Sequence, residues 1–146
     1  MSASKGHDTV SVAKEYFARL DAGSPSLLDL FTEDAQIYFP KFGIGRGRTA
    51  ILEVLSGLTG KIQSVEHASD SFVYIRSGNR LAVEGTTRGV LKDGVRWAAG
   101  ETPAGRFCNV FEFRANLICR VHIYLDPDYG GEDKDRFMWG ESGRSW

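Results

Sequence analysis

The chain has 146 residues and a formal charge of -1, enough for one ordinary domain with a real core and too little net charge to draw it to nucleic acid or an anionic membrane. Its 42% hydrophobic and 25% charged residues fit a soluble globular protein, and no apolar run reaches the ~18 residues of a membrane helix. The stretch from Met1 to His7 has no apolar signal core, so a cytoplasmic location is expected. Two cysteines without CxxC spacing and three scattered histidines point to no metal and no cofactor.

Asp8 or Thr9 is placed to cap a first helix whose apolar stripe runs through Val12, Ala13, Tyr16, Phe17 and Leu20 and which Gly23 ends. Ser24-Pro25 then opens a short helix through Leu27, Leu28, Leu30 and Phe31. A strand is expected over Gln36–Pro40. Gly43, Gly45 and Gly47 lack the spacing of a phosphate or dinucleotide loop and read as a flexible entry to a third helix carrying Ile51, Leu52, Val54, Leu55 and Leu58. Everything later looks extended: strands over 62–76 and 80–91, then a hairpin over 106–126. Helices first and an antiparallel sheet second predict an α+β fold, a curved sheet enclosing a pocket between itself and the helices.

The hairpin carries the most specific signal. With a three-residue loop closed by a left-handed Asn116, Phe113 pairs with Leu117, Phe111 with Cys119, Asn109 with Val121 and Phe107 with Ile123, all on one face. This register sets Cys108 opposite His122 and the two thiols on opposite faces, which argues against a disulfide. Asn109 is the lone amide on an apolar face. It is either a core amide satisfied by backbone or water, or a ligand contact in an apolar pocket.

The run Tyr16-Phe-Ala-Arg-Leu-Asp-Ala-Gly23, the run Leu30-Phe-Thr-Glu-Asp-Ala-Gln-Ile-Tyr-Phe-Pro40, Gly45-Arg-Gly and the Phe111-Glu-Phe to Leu117-Ile hairpin together resemble the nuclear transport factor 2-like superfamily. The likeness is strongest to its small bacterial branch of ketosteroid isomerases, limonene epoxide hydrolases and SnoaL-type polyketide cyclases. The resemblance covers nearly the whole chain, 1–146, as one domain. It implies a cone-shaped fold with a mostly apolar cavity, a small hydrophobic ligand, and a homodimer through the mixed outer sheet face. It also implies that Tyr16 and Asn109 stand where ketosteroid isomerases hold two hydrogen-bond donors to a substrate oxygen. The family's base positions fall on Phe39 and about Ile123, neither of which moves a proton.

An enzyme of isomerase, cyclase or hydrolase type therefore needs another base, and His67 has the pKa range for it. Phe17, Leu20, Tyr38, Phe39, Trp97, Phe107, Phe111, Val121 and Ile123 are the expected substrate-binding residues around Tyr16 and Asn109. Glu84 and Asp126 read as structural, Arg106 as outward-facing, and Asp133 to Trp139 as a short helix or lid. A binding protein without catalysis stays open beside the enzyme.

Overall fold

The computed structural model describes residues 8–140 and 143–146; the segment from Met1 to His7 lies outside them. Helix α1 (Thr9–Ala22) buries Ala13, Tyr16 and Phe17 and stops at Gly23, whose φ of 65° is left-handed. Its closing bonds run from Gly23 N–H to the Leu20 carbonyl and from Ser24 N–H to the Arg19 carbonyl, the geometry for which glycine carries no Cβ penalty. Ser24 Oγ then accepts from the Ser26 N–H at 3.2 Å and caps a 3-10 helix, Pro25–Leu30.

Strand β1 (Phe31–Phe39) starts earlier than expected, directly at the end of that helix. The glycine-rich segment is itself a strand, β2 (Gly43–Arg46), antiparallel to β1, so it is no loose entry to helix α2 (Gly47–Thr59). The expected long strand over 62–76 is two, β3 (Ile62–His67) and β4 (Val73–Ser77), broken by a 3-10 turn at Ser69–Ser71. The break follows from β5 (Arg80–Leu91), a bent strand whose first half pairs with β4 and whose second half pairs with β3. The short β6 (Arg96–Ala98), absent from the sequence reading, extends the other edge of β5 beyond β7 (Arg106–Arg114).

The last strand, β8 (Leu117–Leu125), pairs antiparallel with β7 and parallel with β1. The path is β2-β1-β8-β7-β5-β3, a mixed, curved and unclosed sheet in the α+β class expected. Two details of the hairpin differ from the expected register. Ala115 and Asn116 both have positive φ, 53° and 68°, so the loop has two residues, as the twist of paired strands favours. A bulge follows at Cys119, between the pairs Phe113↔Ile118 and Glu112↔Arg120. The pairs downstream shift accordingly to Phe111↔Val121, Asn109↔Ile123, Phe107↔Leu125 and Cys108↔Tyr124. An extra residue on one strand locally reverses which face its neighbours meet. Ile118, Val121 and Ile123 are consequently buried, while both cysteines are half-buried and free.

Phe107, Asn109, Phe111 and Phe113 line the inner face of β7, as their alternation requires. The three phenylalanines pack with Phe31, Ile37 and Phe39 of β1, Tyr16 and Phe17 of α1, and Ile51 and Val54 of α2 in one core. A second, smaller core under the bend of β5 holds Leu91, Trp97 and Ala104. Among the described residues, no helix is long and apolar enough to cross a membrane.

Candidate functional site

A cavity of about 270 Å³ lies between the helices and the inner sheet face, at the small end for ligand sites. Its wall is mostly apolar, with Leu20, Phe39, Val54, Leu58, Phe107 and Ile123 prominent, and its polar residues include Tyr16, Asp21, His67, Asn109 and Tyr129 beside Thr59, Gln63 and Ser64. All three expected catalytic residues are thus part of one wall. Four of the nine expected binding residues join them: Leu20, Phe39, Phe107 and Ile123.

The other five stand elsewhere, each for a visible reason. Phe17 and Phe111 form the layer behind Tyr16, with ring centroids 4.9 and 5.2 Å from its own. Val121 is buried below the wall. Tyr38 is on the outer sheet face, its ring 5.6 Å from His122 and 5.5 Å from Tyr124. Trp97 fills the second core, where Nε1 donates to Thr87 Oγ1 at 3.0 Å. Its ring lies 4.5 Å from that of Tyr129, so it backs a wall residue without belonging to the wall. The segment after Asp133 forms turns and not a helix. Phe137, Met138 and Trp139 are exposed, Met138 by 96%, and do not close the cavity. Glu84 is exposed on the outer face, Arg106 donates to the Trp146 carbonyl, and Asp126 accepts from the Asp128 N–H within its turn.

Sequence reasoning missed Asp21. Its Oδ1 meets His67 Nδ1 at 2.5 Å while its Oδ2 accepts from the His67 backbone N–H at 2.9 Å. One carboxylate from the end of α1 thereby fixes both the position and the tautomer of a histidine at the end of β3: Nδ1 carries the proton and Nε2 is left as the basic nitrogen. The imidazole is further wedged between Phe17 and Phe107, at 5.0 and 5.3 Å between centroids. Asp21 follows Tyr16 by five residues in a segment whose pattern reads as a helix end, and no local signal marks its partner 46 residues on.

The second pair is Tyr16 and Asn109. Burial drives the Tyr16 phenol far above its ordinary range; the nearby Asn109 amide works against this, and the Asp21 carboxylate adds to the rise. Tyr16 is therefore a neutral O–H donor at any ordinary pH. Asn109 Oδ1 is buried with no hydrogen-bond partner among the described residues. Tyr129, also missed, is pushed up to about 12, by burial first and by Asp126 second. It shares Phe39, Val54, Leu58 and Ile62 as a common partition between the cavity and an outer groove that includes Lys41, Phe42 and Lys61. No cluster of His, Cys, Asp and Glu suited to a metal ion occurs among the described residues.

The SnoaL-like domain model matches residues 13–121, and no curated protein matches the chain at the sequence level. Among solved structures, a candidate polyketide cyclase from Pseudomonas putida superposes with a TM-score of 0.70 at 20% identity, over 85% of this chain and 96% of its own. A candidate isomerase from Bacillus subtilis gives 0.67 at 18% identity, over 85% and 94%. TerC, crystallised with polyporic acid, gives 0.67 at 16% identity, over 81% and 91%. At such identities the likeness is one of fold.

Proposed function

The chain belongs to the SnoaL-like domain family, and we propose that it is a small-molecule enzyme of isomerase or cyclase type, acting on a hydrophobic, oxygen-bearing compound of steroid, terpenoid or polyketide kind. The observation that carries this reading is the presence of two preorganised pairs, Asp21 with His67 and Tyr16 with Asn109, in the wall of one apolar cavity. The first is a base with its tautomer set, and the second is a donor for an oxygen on which charge develops.

The chemistry these groups support is enolisation. Tyr16 O–H donates to the substrate carbonyl oxygen; His67 Nε2 takes a proton from the adjacent carbon, and the C–H electron pair moves into the C–C bond as the carbonyl π pair moves onto oxygen. Asp21 stabilises the imidazolium that forms. Return of that proton to a different carbon completes an isomerisation. Attack of the enolate carbon on a second carbonyl, with the proton passing to the new alkoxide, completes a cyclisation. The isomerisation moves only protons, the cyclisation adds one C–C bond, and neither route needs a cofactor. The names of two structural neighbours, candidate polyketide cyclase and candidate isomerase, agree with it, and TerC was crystallised with polyporic acid.

The test uses 2-tetralone, an apolar bicyclic ketone, in D2O. The protein is expected to accelerate deuterium exchange at its α-carbons, followed by proton NMR, and His67→Gln is expected to abolish the acceleration. Exchange no faster than in buffer would remove the base from the reading. A second reading, a binding protein without catalysis, is favoured by Phe39 and Ile123, which are apolar wall residues at the family's base positions. It predicts tight ligand retention with no exchange.

The same proposal includes pairing of two copies across the outer sheet face, where Val73, Ile75 and Tyr124 are exposed apolar groups. Sedimentation at micromolar concentration is expected to give a dimer, and a monomer there would overturn it.

A further inference from the structure

The outer groove has a volume of about 280 Å³ and shares Phe39, Val54, Leu58, Ile62 and Tyr129 with the cavity. Pro40, Phe42 and Pro127 add to its apolar lining, and its charged residues are Lys41, Glu53 and Lys61. Neither ammonium group has a hydrogen-bond or ion-pair partner among the described residues, and Glu53 pairs with neither lysine. Asp126, whose charge reaches Tyr129, is not in the lining, and its Oδ1 is held by the Asp128 N–H. Two free cations thus face one anion at the rim of an apolar groove.

One of those cations is held at a steric cost. Phe42 N–H donates to the Phe39 carbonyl at 3.1 Å, which closes the turn Phe39-Pro40-Lys41-Phe42. Proline occupies its second position and Lys41, with a φ of 74°, its third. This is the pattern of a type II turn, in which the third residue needs a positive φ and glycine is the usual choice. A lysine often lays its stem on apolar surface and keeps its charge in water, and that alone accounts for Lys61. It does not account for a lysine where glycine would close the turn without strain. Strain of this kind gathers at ligand sites, and what it retains here is the Lys41 side chain.

We infer that the groove is a second binding site, separate from the cavity, for a small apolar carboxylic acid. The ring system of such an acid is buried on the apolar lining, and its carboxylate is answered by Lys41 and Lys61. The volume is at the small end for ligand sites, which fits a molecule of about two rings. This site stands whether or not the cavity carries out the proposed reaction.

The test titrates the whole 15N-labelled protein with 2-naphthoate and with 2-naphthamide, its neutral analogue of the same shape, and follows the backbone amide shifts. 2-Naphthoate is expected to move the amides of Lys41, Phe42, Gly57 and Lys61 and to bind about fivefold more tightly than the amide. The preference is expected to fade at about 1 M salt, where charges are screened within a few ångströms. Lys41→Gly relieves the turn, so it is expected to melt no lower than the wild type while losing part of the preference, and adding Lys61→Gln is expected to abolish the rest. Equal affinity for the two probes in the wild type would overturn the assignment to an anion. Shifts centred on Asn109 and Ile123 would put the acid in the cavity and overturn the second site. A preference that survives in the folded double variant would overturn the role of the lysines, and a Lys41→Gly protein less stable than the wild type would overturn the argument from strain. Binding of neither probe up to its solubility limit would overturn the site altogether.

Discussion

Asp21 grips His67 at two points, Oδ1 on the ring Nδ1 at 2.5 Å and Oδ2 on the backbone N–H at 2.9 Å. The double contact makes Asp21 a positioning residue: it touches no reacting atom but selects the tautomer and the ring orientation. Asp21→Asn should therefore keep the fold and lower the rate of α-proton exchange, because an amide can donate to Nδ1 and so shift the proton to Nε2. The expected loss is about 10²-fold or more in kcat with little change in KM, whereas His67→Gln should lose the general-base contribution outright. The discriminating readout is the 15N shift pattern of the imidazole. A His67 tautomer unchanged in Asp21→Asn would separate Asp21 from any such role.

Much of this site was legible in the chain itself. Tyr16 on the buried stripe of a helix and Asn109 and Ile123 on one face of an alternating hairpin follow from periodicity of 3.6 and 2, Phe39 enters through the family resemblance, and all four are in the cavity wall. Asp21 and Tyr129 were not legible, because their partners are brought near only by the curl of the sheet. The hairpin shows another kind of loss. Leu117 and Ile118 are both apolar, so the sequence holds nothing to mark the two-residue loop that sets Ile118 against Phe113 and buries it, or the bulge at Cys119 that returns Val121 to the inner face. The positive φ of Ala115 is equally silent, since alanine seldom adopts it.

Gly89 sets the seat of the second core. A Cβ added there would lie 2.3 Å from the Ser64 carbonyl oxygen and 2.3 Å from the Trp97 ring, a clash with backbone on one side and a packed indole on the other. Gly89→Ala should destabilise the fold by about 1 to 3 kcal/mol, as overpacking does. Chemical denaturation measures the loss. A midpoint equal to that of the wild type would mean that β3 and β6 adjust at no cost.

His122, on the outer face, is built to stay neutral. Its Nε2–H donates to Gln36 Oε1 at 2.6 Å, while Nδ1 accepts from Arg120 at 3.2 Å and from the Tyr124 hydroxyl at 3.4 Å. Burial first, then the Arg120 and Arg80 charges, lower its pKa below the ordinary value of 6.5. The unfolded chain therefore binds a proton here more readily than the folded one. Stability is complete above about pH 6.5 and declines as pH falls from there toward the folded pKa. Asp34, held below the usual carboxylate range by Arg114 and then by Thr32, contributes stability that is lost only in a more acidic window. Denaturation midpoints of wild type and His122→Phe should accordingly diverge in slope just below about pH 6.5. Parallel slopes would assign the acid sensitivity to other groups.

Tyr129 divides the cavity from the outer groove, and Trp97, 4.5 Å away between centroids, holds it there. Its hydroxyl matters less to this role than its ring, since a partition works by filling space. Tyr129→Ala should merge the two spaces and release a bound apolar probe about tenfold faster with little change in association, because a missing wall acts mainly on koff. Tyr129→Phe keeps the ring and should leave release near the wild-type rate. Stopped-flow dissociation of a bound fluorescent naphthalene probe distinguishes the two. If Tyr129→Phe released the probe as fast as Tyr129→Ala, the phenol would be a polar contact to the ligand, and the partition would have to be assigned to Phe39 and Ile62.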